Sequence, residues 1–382
     1  MVKDMKKYSK YYLDKGTLFC LIFFIIISII SIYQSEKLMT DINNYYIKQL
    51  IWYFVGFILI FIILKFGNEF IYQHIFAFYI IGNVLLLGLL LFATPINEAK
   101  CWFTIKGIGT IQPSEFMKII LIIMISKQIQ KYKIEYKNPS VKEEFFFLVK
   151  IILILIPPSI LTFLEPDTGV VLIYFLITFF MLFISGIRYR WFLLVLFLVT
   201  SIIFITLFIY FKSQELFINI FGNSFFLRIN RLLDWNNKTG YQLENSLISI
   251  GSAGLIGHGL NLSLYFPEPQ TDFIFSVYSS TFGLIGSFIL LCVICYFDIH
   301  LIMIAKKTNF KMNQYIIIGI LGMLIYQQFQ NIGMTFGLLP ITGITLPFIS
   351  YGGSSLLSYM IMLGIIFNIS NENKKDINKK SN

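Results

Sequence analysis

Apolar residues along this chain fall in long runs that are separated by short polar segments. A helix needs about 20 apolar residues to cross the hydrocarbon core of a bilayer, and ten runs come close to that length. The predicted spans cover residues 16–33, 49–65, 71–93, 113–127, 146–164, 168–186, 191–211, 273–297, 313–336 and 351–369. The pattern therefore predicts an all-α integral membrane protein of about ten transmembrane helices, in a single polytopic domain over residues 1–382.

Three parts of this pattern are irregular. The fourth span begins with polar residues, and the fifth contains Pro157 and Pro158, which favour a break because proline removes a helical hydrogen bond. The loop between the seventh and eighth spans, residues 212–272, is too polar to cross the membrane. Within it, residues 241–260 are expected to form an interfacial or re-entrant helix followed by tight turns.

Composition and charge agree with a membrane protein. Hydrophobic residues make up 57% of the chain and charged residues 13%, a balance that would leave a soluble domain with large exposed apolar patches. The net charge of +10 comes from lysines in both tails and in alternate loops, which favours membrane orientation over nucleic-acid binding. Both termini are predicted to be cytoplasmic and the loop 212–272 extracytoplasmic. The four cysteines favour packing roles over a disulfide or metal site.

Residues 331–355, NIGMTFGLLPITGITLPFISYGGSS, interrupt the apolar helical pattern with five glycines and two prolines. Irregular backbone at membrane depth is tolerated only where it is buried in protein or lines a water-filled cavity. This segment therefore predicts a functional site.

Polar residues cluster at span ends on the predicted outer face. In QPSEFMK, residues 112–118, the pattern is typical of a helix start in which Glu115 caps and Lys118 is its i,i+3 partner. The alternative is that Glu115 and Lys118 line a cavity, because ionisable groups held near hydrocarbon are costly and are often functional.

Two further acidic motifs also have two interpretations. Asp167 in EPDTG, residues 165–169, is ordinary turn chemistry or a site residue. Asp272 in PEPQTDFIFS, residues 267–276, is a helix N-cap or a catalytic carboxylate.

Taken together, these motifs resemble the SEDS family (shape, elongation, division and sporulation), whose RodA and FtsW branches polymerise peptidoglycan. The resemblance extends from about residue 99 to residue 355. It rests on QPSEF, Pro-Asp-x-Gly and TDFIF, on GYQLENSLISIGSAGLIGHGL at 240–260, and on these C-terminal positions: Asn331, Gly333, Met334, Gly337, Pro340, Thr342, Gly343, Leu346, Pro347, Ser350, Tyr351, Gly352, Gly353 and Ser354. The wording NIGMT followed by GLLPITG is closer to the RodA branch.

The resemblance implies a peptidoglycan glycosyltransferase of the bacterial cytoplasmic membrane that polymerises lipid II on the outer face. Its catalytic carboxylate would be Asp272. The implied substrate-binding residues are Trp102, Glu115, Lys118, Asp167, Arg228, Ser350, Tyr351, Gly352 and Gly353. The implied partners are lipid II, membrane lipids and a class B penicillin-binding protein. A divalent cation, Mg or Mn, held by carboxylates is expected to help neutralise the diphosphate; no individual metal ligand is assigned.

Two other functions stay open at this point. The same cavity could transport lipid II across the bilayer, or the protein could be a non-catalytic scaffold for a transpeptidase. The scaffold hypothesis gains weight because the sequence departs from the family pattern at three positions. Ser280 and Thr281 stand where the family usually has a Glu pair, and Gln270 replaces the His that the family has before TDFIF.

Overall fold

The computed structural model describes residues 13–39, 44–94, 100–105, 109–223, 225–226, 229, 241–260 and 268–381. Its long helices are α1 Lys15–Lys37, α2 Tyr45–Phe66, α3 Asn68–Phe92, α4 Pro113–Glu135, α5 Val141–Leu164, α6 Thr168–Ile184, α7 Tyr189–Lys212, α10 Ile274–Lys307, α11 Lys311–Thr335 and α12 Gly353–Ser381. Two shorter helices, α8 Gln214–Phe221 and α9 Tyr241–Ser252, lie between α7 and α10.

Each of the ten predicted spans corresponds to one long helix. Eight of these helices are long and apolar enough to cross a membrane; α6 is apolar but has 17 residues, and α4 is more polar. The predicted multi-pass helical fold is confirmed, with one addition. Strands β1 Phe103–Ile105 and β2 Gly109–Ile111 form an antiparallel hairpin immediately before α4.

The expected break at Pro157 and Pro158 is absent, since α5 continues through both prolines. Pro158 has no N–H to donate to the carbonyl of Ile154, four residues earlier. The hydroxyl of Tyr79, on α3, donates to that carbonyl instead at 2.8 Å. A neighbouring helix thus satisfies the acceptor that proline leaves free, which is how membrane helices tolerate proline.

Helix α12 lies at the centre of the bundle and α7 lies at its periphery. The apolar part of α12 is buried along nearly all its length, whereas no residue in the most apolar part of α7 is buried. At the end of the bundle where α1 begins, Asn68 donates to the carbonyl of Ile365 at 3.0 Å, and Asn368 donates to that of Ile63 at 2.8 Å. This reciprocal pair fixes the corner between α2 and α3 against α12.

Helix α10 is broken at Gly283, whose φ of 66° and ψ of −163° are not helical. The predicted span began at residue 273, but the part long enough to cross the bilayer starts only after this break and runs to Lys307. Residues 274–282 instead form a short helix whose side chains are largely buried.

The irregular backbone predicted between α11 and α12 is present, with positive φ at Gly337, Gly343 and Phe348. Polar side chains from neighbouring helices satisfy its carbonyl groups, as the low polarity of this depth demands. The donors are Gln330 to Pro340, Asn331 to Ile344, Tyr53 to Phe348, Ser28 to Ile349 and Gln49 to Ser350.

Candidate active site

A cavity of about 520 Å³ opens at the end of the bundle opposite the start of α1. Its walls are the β1–β2 hairpin, the first turns of α4 and α6, the residues just before α10, and the irregular segment between α11 and α12. Sequence-predicted residues that line it are Trp102, Glu115, Asp167, Asp272, Tyr351, Gly352 and Gly353. Motifs that are far apart in the chain are therefore brought to one site.

Asp272 lies in the cavity wall two residues before α10 begins. Burial raises the pKa of its carboxyl to about 7, and the negative charge of Glu268 adds to the increase. Its main chain is held on both sides: Ser350 Oγ donates to the Thr271 carbonyl at 2.6 Å, and Asn331 donates to the Asp272 carbonyl at 2.9 Å. A carboxylate that is carried on a backbone held in this way, with its pKa near neutrality, suits a general base.

Asp167 lies at the turn before α6 and lines the cavity. It caps α6, because its Oδ1 accepts a hydrogen bond from the Val170 amide at 3.1 Å. Its Oδ2 accepts one from Gln112 Nε2 at 2.7 Å, which joins the starts of α4 and α6. Burial raises the pKa of Asp167 to about 6, partly offset by the Val170 hydrogen bond.

Glu115 and Lys118 form the predicted i,i+3 pair, with Glu115 Oε2 and Lys118 Nζ 2.7 Å apart. Glu115 lines the cavity, but Lys118 does not: its side chain is fully buried behind Glu115, with Nζ 5.6 Å from the centre of the Tyr359 ring. Lys118 therefore neutralises the charge of Glu115 from the protein interior, on the side away from the cavity.

Sequence comparison identifies the family. The FtsW/RodA/SpoVE model, described as a cell cycle protein, matches residues 12–375. The chain belongs to this family. It is 34% identical to the probable peptidoglycan glycosyltransferase FtsW of Buchnera aphidicola subsp. Schizaphis graminum, over 85% of this chain and 90% of that protein. It is 33% identical to the protein of the same name from Wigglesworthia glossinidia brevipalpis, over 96% of this chain and 95% of that one.

Solved structures share the fold. A chain from a peptidoglycan synthase complex that coordinates polymerization and crosslinking superposes with a TM-score of 0.78 and 22% identity, covering 97% of this chain and all of that one. Thermus thermophilus RodA, the rod shape determining protein, superposes with a TM-score of 0.68 and 23% identity, covering 94% and 97%. Both superpositions cover nearly the whole length of this member of the FtsW/RodA/SpoVE family. The branch within the family stays a prediction.

The family's C-terminal residues have distinct positions here. Tyr351, Gly352 and Gly353 line the cavity, and the Tyr351 ring meets that of Tyr45 edge-on at 4.8 Å between centroids. Ser350 is buried and acts on the backbone, because its Oγ accepts from the Leu346 amide at 2.8 Å as well as donating to Thr271. It supports the site without lining it.

Positive charge is scarce in the described part of this site. Four acidic residues line the cavity, Glu115, Asp167, Glu268 and Asp272, and no Lys or Arg does among the described lining residues. Arg228, the predicted diphosphate contact, lies outside the described residues. Within the described residues no group of three or more His, Cys, Asp or Glu is arranged so that it could hold a metal ion.

The structure adds site residues that sequence reasoning missed. Trp52, near the start of α2, lines the cavity and packs against Gly353, where a Cβ atom would collide with its indole ring. Gln327 of α11 lines the deep part of the cavity and is almost fully buried. A Trp at a membrane boundary is common as an interfacial anchor, so the sequence offered no signal that set Trp52 apart.

Proposed function

We propose that this protein is a peptidoglycan glycosyltransferase that polymerises lipid II into glycan strands on the outer face of the bacterial cytoplasmic membrane. The observation that carries the proposal is the carboxylate of Asp272, which lines a cavity at one end of the helical bundle and has its pKa raised to about 7. Family membership and the names of the FtsW relatives support it.

Asp272 would act as the general base. It accepts the proton of the acceptor's GlcNAc 4-hydroxyl as that oxygen attacks the anomeric carbon of the donor's MurNAc. The bond from that carbon to the diphosphate oxygen breaks, and undecaprenyl diphosphate leaves with the bonding electrons. A single displacement inverts the anomeric carbon. Because diphosphate leaves without a proton, no general acid is needed.

The leaving diphosphate needs positive charge, which the described cavity wall lacks. We assign the supply of this positive charge to Arg228 together with Mg or Mn brought in by the substrate. Arginine is suited to this role because its guanidinium matches the geometry of phosphate oxygens. Neither the proton transfer to Asp272 nor the displacement at the anomeric carbon depends on the metal ion.

We also infer the surroundings of the site. Both termini would be cytoplasmic, which puts the cavity on the outer face, and a class B penicillin-binding protein would crosslink the product. The likeness to a chain of a peptidoglycan synthase complex supports such a partner.

The orientation is tested by attaching a membrane-impermeant thiol reagent to Thr110→Cys, in the hairpin. Labelling only from the cytoplasmic side would refute the predicted orientation.

The decisive experiment is lipid II polymerisation by the purified protein with its transpeptidase partner. Asp272→Asn should abolish glycan product while the protein stays folded, because the amide cannot accept the proton. The matched control is Asp298→Asn, because Asp298 is a half-buried carboxyl of α10 that lies outside the cavity and accepts a hydrogen bond from Gln328. Undiminished polymer with Asp272→Asn would reject the catalytic role.

The same experiment tests both alternatives against the enzyme, because a scaffold and a transporter would each give no polymer with the wild type or any variant. A transporter alone would move lipid II between leaflets, whether or not Asp272 is ionisable. Transport across the bilayer would also require polar groups along the whole path. The four carboxylates of the cavity all lie near one end of the bundle, which favours chemistry at that end.

A further inference from the structure

The break in α10 is filled by a turn from the preceding loop. This docking turn, residues 253–259, lies against the break and exchanges four backbone hydrogen bonds with it. The amides of His258 and Gly259 donate to the carbonyls of Ser280 and Thr281 at 2.9 and 3.0 Å. In return, the amides of Leu284 and Ile285 donate to the carbonyls of Gly254 and Leu255 at 3.0 and 3.1 Å. Groups that a broken helix would leave unpaired in an apolar surrounding are thus paired.

Two glycines make this approach possible. Gly257 and Gly283 face each other, with φ of 78° and 66°. A Cβ atom at Gly257 would collide with the carbonyl of Thr281 and lie 2.6 Å from the amide nitrogen of Gly283. Backbone packed this closely leaves no room for a side chain, and the positive φ adds strain for any other residue.

One of the two side chains that meet at this contact departs from the family pattern. His258 Nδ1 lies 3.3 Å from both the carbonyl and the hydroxyl oxygen of Ser280. Ser280 is one of the two positions where the family usually has Glu. This departure at Ser280 therefore lies where the docking turn contacts the short helix, outside the residues that line the cavity.

The docking turn holds one end of the Asp272 segment, residues 268–282. The other end is held by Ser350 and Asn331, which bind the carbonyls of Thr271 and Asp272. In the middle, Ser276 shares a hydrogen bond of 2.6 Å with Ser246 of α9.

Gly283 interrupts the helical geometry between this segment and the spanning part of α10. Across the break, Tyr278 donates to the Gly286 carbonyl and Ser287 donates to Ser279 Oγ, both at 2.9 Å. The orientation of the segment therefore depends on these two bonds together with the lateral contacts.

We propose that the docking turn is a positioning element for Asp272, with Gly257 and Gly283 as its positioning residues, and that the docked arrangement is the catalytically active one. This inference rests on the proposed function, since it explains how Asp272 is aimed. It also assigns a role to the outer loop: a partner that shifts residues 253–259 would change the catalytic rate without touching the cavity.

The first test compares two glycine variants in full-length protein with its transpeptidase partner. Gly257→Ala should lower kcat for lipid II polymerisation by about tenfold or more and leave KM within about twofold, because no residue of the turn lines the cavity. Gly251→Ala is the matched control: a Cβ there meets nothing within 4 Å, and both kinetic constants should stay near wild type. A folded Gly257→Ala protein with wild-type kcat would overturn the proposal.

A hydrogen-exchange measurement tests the positioning without using activity. Amides of residues 272–282 should exchange faster in Gly257→Ala than in wild type or Gly251→Ala. Unchanged exchange would overturn the proposal. If exchange responds as expected while the wild-type protein makes no polymer, the proposed function fails and the structural coupling survives.

A cross-link provides the test if Gly257→Ala does not fold. His258→Cys with Ser280→Cys joins two residues whose backbones are hydrogen-bonded, within reach of a disulfide. The exposed Cys292 and Cys295 are first replaced by alanine. The oxidised protein should keep at least about half the kcat of its reduced form. Loss of activity on oxidation, restored by reduction, would show that the turn must leave the break during turnover and would overturn the proposal.

Discussion

Asn331 binds the backbone of Asp272: its side-chain Nδ2 donates a hydrogen bond of 2.9 Å to the Asp272 carbonyl. The same Nδ2 also donates a hydrogen bond of 2.8 Å to the carbonyl of Ile344 through its other hydrogen. Asn331 is fully buried, so water cannot replace it. One side chain thus connects the segment that carries the proposed base to the irregular segment that forms the facing wall.

Replacing Asn331 should therefore impair both stability and turnover. Asn331→Leu keeps the volume but leaves two buried carbonyls without donors, at a cost of roughly 1–3 kcal/mol each. We expect a lower melting temperature and a fall in kcat of about tenfold or more. Asn313→Leu is the control, because Asn313 lies on the same helix but binds Glu372 at the far end. It should lose stability only; equal kcat losses in both variants would contradict the prediction.

The pH dependence of polymerisation should follow the ionisation of Asp272. A general base works in its deprotonated form, so kcat should rise with pH, be half-maximal near the pKa of about 7, and fall about tenfold per pH unit below it. The charge of Glu268 contributes to the raised pKa, so Glu268→Gln should move the midpoint to lower pH. A midpoint that stays in place, or moves upward, would show that another group controls the rate.

Glu165 should make the protein less stable as pH rises. Its side chain is fully buried, and neither carboxylate oxygen has a hydrogen-bond partner among the described residues. Burial raises its pKa to about 8, with Asp167 adding to the effect. A carboxyl whose folded pKa is raised binds its proton more tightly when folded, so its stabilising effect is complete at low pH and is lost between about pH 4.5 and pH 8.

Glu165→Gln tests this directly by removing the ionisation. At pH 9 the variant should be more stable than wild type by about 2–5 kcal/mol, and at pH 4.5 the two should be nearly equal. The measurement is thermal unfolding in detergent across this pH range. Parallel melting curves for the two proteins at all pH values would mean that Glu165 is ionised and solvated in the folded state.

The sequence predicted the number of long helices and most of the cavity wall for a physical reason. Length and apolarity decide whether a helix spans the bilayer, and the irregular segment 331–355 stood out because a membrane interior does not tolerate such backbone without function. The break at Gly283 was missed because the apolar run continues through it. Contacts such as that of Asn331 with Asp272, 59 residues apart, depend on tertiary packing that no local pattern records. The same holds for Lys118, whose burial behind Glu115 is a property of the bundle.

The pair of Glu115 and Lys118 should be strongly coupled in stability. Lys118→Met leaves a mostly buried Glu115 carboxylate without its partner at 2.7 Å, which should cost about 3–5 kcal/mol. The double variant Glu115→Leu with Lys118→Met removes both charges and should recover most of that loss. Thermal unfolding of the wild type, the two single variants and the double variant measures the coupling. Additive losses would show that the two groups are independently solvated.

Tyr79 and Pro158 should be coupled in a different way, through the carbonyl of Ile154. In the wild type that carbonyl has no helical donor, and the Tyr79 hydroxyl supplies one, so Tyr79→Phe should cost about 1 kcal/mol. Pro158→Ala restores a backbone N–H to the same acceptor. In that background Tyr79→Phe should cost almost nothing, since the helix then satisfies the carbonyl itself. Equal losses in both backgrounds, measured by thermal unfolding, would mean that the hydroxyl stabilises α3 and α5 through packing alone.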